Sequence, residues 1–187
     1  MNFIRQAIKK PKYTGAIAPS SPRLSRLITH EADLSDARMV VEIGPGTGVF
    51  TRLILQNISP DTAYFAMEIN ADFVENLQQR FPGLDVYHGD AKDIRHCLEK
   101  YGCQHCDRVI SGIPWTAFDD KLQNEILNNI YEALSPAGIF VTFAYFPLNH
   151  LFNGTLFKIK LRQLFSEVRQ TRIVANIPPA FVYVCRK

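Results

Sequence analysis

One stretch constrains the fold of this chain more than any other. Val40-Val41-Glu42-Ile43 is a short apolar run that closes on Gly44-Pro45-Gly46-Thr47-Gly48, and Val49 and Phe50 follow at once. Such a run reads as a buried strand, and glycines let the backbone turn sharply into a helix. Strands buried on both faces belong to parallel sheets, where crossover helices cover both sides. The turn therefore predicts an α/β layer arrangement.

The rest of the chain repeats the alternation. Phe3, Ile4, Ala7 and Ile8 fall at helical spacing, which predicts a helix over about 2–10 that ends at Pro11. Ser20-Ser21-Pro22 supplies a cap and a first-turn proline for a helix over about 22–33. Strands are predicted at 38–43, 63–69, 84–88, 108–111 and 139–145, and helices at 49–56, 72–80, about 92–100, 119–134 and 151–165. Two strands near 167–175 and 180–186 have no helix between them and form an edge hairpin. The expectation is an α/β, mostly parallel seven-stranded sheet with helices on both faces, a C-terminal antiparallel hairpin and N-terminal helices. Residues 1–33 form the amphipathic and cap helices, and 34–187 one compact unit.

Charge is unevenly placed. The net charge is +3, yet residues 31–132 hold 17 of the 18 acids and only 8 of the 21 Lys and Arg. Residues 1–30 carry Arg5, Lys9, Lys10, Lys12, Arg23 and Arg26 with no acid. This segregation points to a polyanionic partner, an anionic membrane or a nucleic acid. No apolar run reaches the ~20 residues needed to span a bilayer. The N-terminus lacks the apolar core of a secretory signal, so a cytoplasmic location is expected. Cys97, Cys103, Cys106 and Cys185 are then expected as free thiols. Cys103-Gln-His-Cys106 has no second ligand pair, so no metal site is expected.

The glycines run G-x-G-x-G, and Val49 stands where a dinucleotide fingerprint wants its last glycine, which argues against a nicotinamide cofactor. Three acids accompany them at successive strand ends. Glu42 precedes the first glycine and can meet a cationic amine. Glu68 ends the second strand, where a carboxylate can accept from both ribose hydroxyls. Asp90, in Gly89-Asp90-Ala91, follows the third and can accept from an adenine amino group. Open α/β sheets bind ligands along this rim.

This pattern resembles the class I methyltransferases, with a Rossmann-like fold and S-adenosylmethionine as cofactor, released as S-adenosylhomocysteine. The likeness covers about 38–145 and the closing hairpin. It implies that Glu42, Gly44, Gly46 and Gly48 hold the methionine part, Glu68 the ribose, and Asp90 with Ala91 the adenine. Ile69, after the second strand, and Ser111 and Gly112, at the end of the fourth, complete the cofactor-facing set.

Ser111-Gly112-Ile113-Pro114-Trp115 is similar to the Asn-Leu-Pro-Tyr motif of amino methyltransferases, but Gly112 takes the place of the Asn that orients a planar amine. That departure weighs against an RNA or DNA adenine acceptor of the kind used by the ribosomal RNA dimethyladenosine transferases. The face of Trp115 suits a cationic amine. Thr14-Gly15-Ala16-Ile17-Ala18-Pro19-Ser20-Ser21, the 44–51 segment and Asn176-Ile177-Pro178-Pro179-Ala180-Phe181-Val182-Tyr183 resemble the bacterial phospholipid N-methyltransferases. That resemblance implies methylation of a phospholipid head-group amine, of phosphatidylethanolamine or of an ornithine lipid. The basic N-terminal helix would rest on the anionic membrane surface. Tyr13, Tyr145 and His150 join Trp115 as candidates near the reacting amine. The competing readings are an adenine N6-methyltransferase, an enzyme for another small amine, and a cofactor-binding protein without turnover.

Overall fold

The computed structural model describes residues 20–187. The helix expected over 2–10, the bases Arg5, Lys9, Lys10 and Lys12, and Tyr13 lie outside the described residues.

Helix α1 (Pro22–Glu31) starts where the cap signal placed it: Ser21 Oγ accepts the Leu24 N–H at 3.2 Å, with Pro22 in the first turn. Strand β1 (Met39–Ile43) is buried along its whole length and leads through the glycine turn into α2 (Val49–Asn57). Then come β2 (Ala63–Glu68), α3 (Ala71–Arg80), β3 (Val86–His88), α4 (Ile94–Lys100), β4 (Cys106–Ser111) and α5 (Asp120–Ala133). The chain closes with β5 (Leu134–Tyr145), α6 (Phe152–Leu164), β6 (Glu167–Gln170) and β7 (Ala180–Arg186). Short 3₁₀ turns occupy Ala91–Asp93, Trp115–Ala117 and Leu148–His150.

The seven strands form one sheet in the order β3-β2-β1-β4-β5-β7-β6. Pairing is parallel from β3 to β5, and β7 runs antiparallel to both β5 and β6. The strand order reverses beside β1, which lies between β2 and β4, so the chain leaves β1 at the switch point where open sheets bind ligands.

Alternation along each strand divides the core into two faces. One gathers Val41, Ile43, Phe65, Phe140 and Phe181 beneath α4, α5 and α6. The other gathers Val40, Ile110, Val141 and Val182 with Leu24 and Ile28 of α1 and Phe50 and Ile54 of α2. Leu24 and Ile28 are fully buried there, so the cap helix drawn with residues 1–33 packs as part of the sheet unit.

Two departures from the sequence reading have clear causes. Ser135-Pro136-Ala137-Gly138 does not separate α5 from the next strand: Leu134 already pairs with Cys106, and the ladder resumes at Ile139 opposite Arg108. The four residues between are accommodated in a bulge in which Ala137 takes a φ of 62°. The strand expected to 175 ends its ladder at Gln170, leaving a Thr171 N–H bond to Val182 O at 2.9 Å and one bridge, Val174 to Ala180. Pro178 and Pro179 have no N–H to offer a ladder.

Candidate functional site

Three chain segments meet at the carboxyl end of the sheet: the turn after β1, the end of β2 and the end of β4. Two hydrogen bonds lock them together, Gly44 N–H to Met67 O at 2.9 Å and Gly112 N–H to Ile43 O at 2.7 Å. Contact is so close that a Cβ at Gly112 would stand 2.4 Å from Gly44 O, and one at Gly44 2.4 Å from Ile113 Cγ2. Gly112 is thus a packing requirement of this turn, and any side chain in the Asn place would collide with backbone.

The three ends enclose a cavity of about 150 Å³, whose walls include Gly44, Gly46, Glu68, Ile69, Ala91 and Gly112. All six are residues singled out in the sequence. Ile43 and Ile113 belong to the two strand-end motifs read in the sequence, whereas Met67, Phe73, Phe118 and Ile126 gave no separate signal, because core periodicity hides residues that happen to border a cavity. Pro114 and Gly89 complete the wall. At Gly46, with φ +54°, nothing lies within 4 Å of a notional Cβ: a side chain there would enter open space.

Glu68 is the polar centre of this cavity. Its Oε2 accepts the Gly46 N–H at 3.1 Å and its Oε1 the Asn70 N–H at 2.9 Å. Burial raises its carboxyl above the usual carboxylate range, and the backbone N–H bonds oppose that rise. A carboxylate has about four acceptor directions, so acceptor capacity remains for a hydroxyl donor beside these backbone bonds.

Four of the expected cofactor residues do not line the cavity. Glu42 is fully buried on the opposite face of β1, where it accepts from Thr51 Oγ1 at 2.7 Å and from the Tyr64 hydroxyl. Desolvation pushes its carboxyl up to about 7, and its Oε1 has no partner among the described residues. Gly48 caps α2 at φ +76°, and a Cβ there would strike Phe81 and Leu77 rather than a ligand. Asp90 caps the turn at Ala91 by accepting the Lys92 N–H at 3.2 Å. Ser111 is buried and accepts from the Trp115 indole N–H at 3.1 Å.

The acceptor-side candidates separate as well. Trp115 is 2% exposed, stacks on Phe157 at 4.8 Å and donates to Thr142 Oγ1 at 3.0 Å in addition to Ser111. This is a core aromatic, so the open cation-binding face expected for it is corrected: packing from α6 covers the ring. Tyr145 is half-buried at the end of β5, edge-on to Phe143, and burial raises its phenol. His150 is exposed in the Leu148–His150 turn, edge-on to Phe146. Cys103 and Cys106 turn their sulfurs to different backbone carbonyls, of Tyr101 and Ala133. Among the described residues, no group of three metal-ligating side chains converges.

A parallel sheet with a reversed edge, a glycine turn at the switch point and a buried acid ending β2 define a nucleoside-cofactor α/β enzyme. Comparison with known proteins makes the class specific. Residues 41–140 match the methyltransferase domain family. The chain is 32% identical to the ornithine lipid N-methyltransferase of Singulisphaera acidiphila, over 98% of its own length and 94% of that protein. A ribosomal RNA small subunit methyltransferase A of Synechococcus sp. is 34% identical over 49% of this chain and 33% of its own. Among solved structures, a SAM-dependent methyltransferase from Archaeoglobus fulgidus superposes with a TM-score of 0.67 at 16% identity, over 88% of this chain and 93% of that one. The O-methyltransferase TomG of Streptomyces achromogenes, solved with SAM, gives 0.66 at 17% identity over 100% and 90%. The chain belongs to the class I S-adenosylmethionine-dependent methyltransferase family and is a methyltransferase that uses this cofactor.

Proposed function

We propose that this enzyme methylates the head-group amine of a membrane lipid, of the phosphatidylethanolamine or ornithine-lipid type, at the membrane surface. The observation that carries this reading is the rim beside the cofactor cavity. Phe152 is 77% exposed, Ile177 79% and Leu151 61%, with Phe146 and Ile159 also exposed. The Phe146 N–H bonds to Pro179 O at 2.8 Å, and Asn153 Nδ2 donates to Thr116 O at 3.2 Å, which ties these segments to the turn after Pro114. Of the bases in this region, Lys160 pairs with Asp120 and Arg169 with Glu31, which leaves Lys158, Arg162 and Arg172 without an ion pair among the described residues. An apolar edge flanked by bases fits an anionic lipid interface. The basic N-terminal segment would add to the same attraction. The likeness to an ornithine lipid N-methyltransferase along nearly the whole chain points the same way. No described helix is long and apolar enough to cross a membrane, so contact would be peripheral.

The cofactor supplies an electrophilic sulfonium methyl, transferred in line to a nucleophile. Glu68 would hold the ribose hydroxyls, and Gly46 leaves space for the methionine part. Gly89 and Ala91, beside Asp90, would border the adenine. The protein's task is then orientation and desolvation of a neutral amine.

Incubation with labelled cofactor tests the reading against three acceptors: phosphatidylethanolamine vesicles, ornithine-lipid vesicles and total RNA. Label in either lipid supports it, and label in RNA alone replaces it with nucleic-acid methylation. The ribosomal RNA relatives motivate the RNA arm, and the absence of room for an amide at Gly112 argues against it.

A further inference from the structure

Gly44, Gly46 and Gly48 all take positive φ, at 68°, 54° and 76°. A turn with glycine at every second position has many conformations open to it, so bonds from outside must select the one that shapes the cavity. Among the described residues, two side chains hydrogen-bond the backbone of this turn. Glu68, in the cavity wall, accepts the Gly46 N–H at 3.1 Å. Arg80, the last residue of α3, donates through Nη1 to the carbonyl oxygen of Thr47, the next residue along. Its guanidinium lies 5.4 Å from the centre of the Phe81 ring, a cation–π arrangement. Phe81 and Leu77 bear on Gly48 so closely that a Cβ there would stand 2.6 Å from Phe81 Cε2 and 2.9 Å from Leu77 Cδ2. Leu77, Arg80 and Phe81 do not line the cavity, so the C-terminal end of α3 holds the turn without forming part of the cavity itself. The same helix reaches the site at its other end. Asn70, its cap, donates its N–H to Glu68 Oε1 at 2.9 Å, and Phe73 of its first turn lines the wall.

We propose that Arg80 is a positioning residue for the cofactor: its bond to Thr47 O fixes the glycine turn so that Gly46 leaves room for the methionine part. The proposal rests on the placement of the methionine part beside Gly46 and specifies what keeps that space open. A planar guanidinium already set against Phe81 gives up little further freedom in making the bond. Without Arg80, Gly46-Thr47-Gly48 keeps only the Glu68 bond and the packing at Gly48, and its glycines can carry the backbone into the space the methionine part needs. Cofactor then binds only the fraction of molecules with the turn in place, and its apparent affinity falls by that fraction. The nucleoside part, placed at Glu68 and Ala91, is spared.

The test measures binding of S-adenosylhomocysteine and of 5′-methylthioadenosine by calorimetry; the second keeps the nucleoside and lacks the amino-acid part. Arg80→Met keeps an apolar stem of similar length but no donor. It should bind S-adenosylhomocysteine about five- to tenfold more weakly, the size of one hydrogen bond, and 5′-methylthioadenosine within about twofold of the wild type. A merely structural role would weaken both probes alike. Equal loss on both, or no loss on S-adenosylhomocysteine, overturns the role of Arg80. Gly46→Val separates that failure from a failure of the underlying placement, since it should lose S-adenosylhomocysteine and keep 5′-methylthioadenosine. A Gly46→Val protein that binds S-adenosylhomocysteine like the wild type shows that the methionine part does not lie at Gly46, and the placement falls together with the role of Arg80.

Discussion

Replacing Glu42 with Gln gives a sharp test of the architecture behind the glycine turn. Glu42 is fully buried, and its carboxyl is raised from an ordinary 4.5 to about 7, with desolvation the largest cause. A raised carboxyl stabilises the folded state only while protonated. Its contribution is complete below about pH 4.5 and is lost as pH rises through about 7. A shift of this size corresponds to about 3 kcal/mol between the two limits, at 1.4 kcal/mol for each pH unit. For a domain of this length that is a fall of about 6–12 °C in melting temperature. Glu68 and Asp90, also raised by burial, add to the fall with the same sign. Gln keeps a carbonyl for Thr51 and Tyr64 but cannot ionise. Thermal unfolding from pH 5 to 8 should show the wild type losing stability and Glu42→Gln losing markedly less. Parallel pH profiles for the two proteins would mean that Glu42 is not buried as a titrating acid, and the reasoning fails.

The remaining predictions concern the cavity and its rim. Glu68→Ala should weaken cofactor binding by about 1–3 kcal/mol, roughly 5- to 150-fold by calorimetry, and unchanged affinity in a folded variant would remove Glu68 from the site. Gly46→Val puts a side chain into the open space at φ +54° and should bind cofactor more weakly still, a result that equilibrium dialysis can contradict. The pair Phe152→Ser and Ile177→Ser should cut sedimentation with anionic vesicles while cofactor affinity stays constant; full sedimentation would show that this rim does not touch lipid. Trp115→Phe leaves Ser111 and Thr142 without the indole N–H and should cost about 1–3 kcal/mol in denaturant unfolding, so unaltered stability would argue against the buried placement.

The architecture was legible in the sequence because its determinants are local. Apolar runs of strand length, Pro22 behind Ser21, and the glycines after Ile43 each act over a few residues, and the strands and helices stand close to where those signals place them. Part of the cavity wall was legible for the same reason: Gly46, Glu68 and Ala91 follow or end strands, and the carboxyl ends of parallel strands are where open sheets form such clefts. Facing and burial were not legible there. Glu42 and Ile43 are neighbours, yet the strand's two-residue period sends Ile43 to the cavity and Glu42 to the core behind it. Only contacts distant in sequence decided the rest. Phe157 of α6 covers Trp115, and the approach of two strand ends forbids a side chain at Gly112. Arg80 meets Thr47, 33 positions before it, because α3 packs its C-terminal end against the glycine turn. A single sequence carries no trace of such meetings, since each depends on the packing of the whole sheet rather than on the residues beside it.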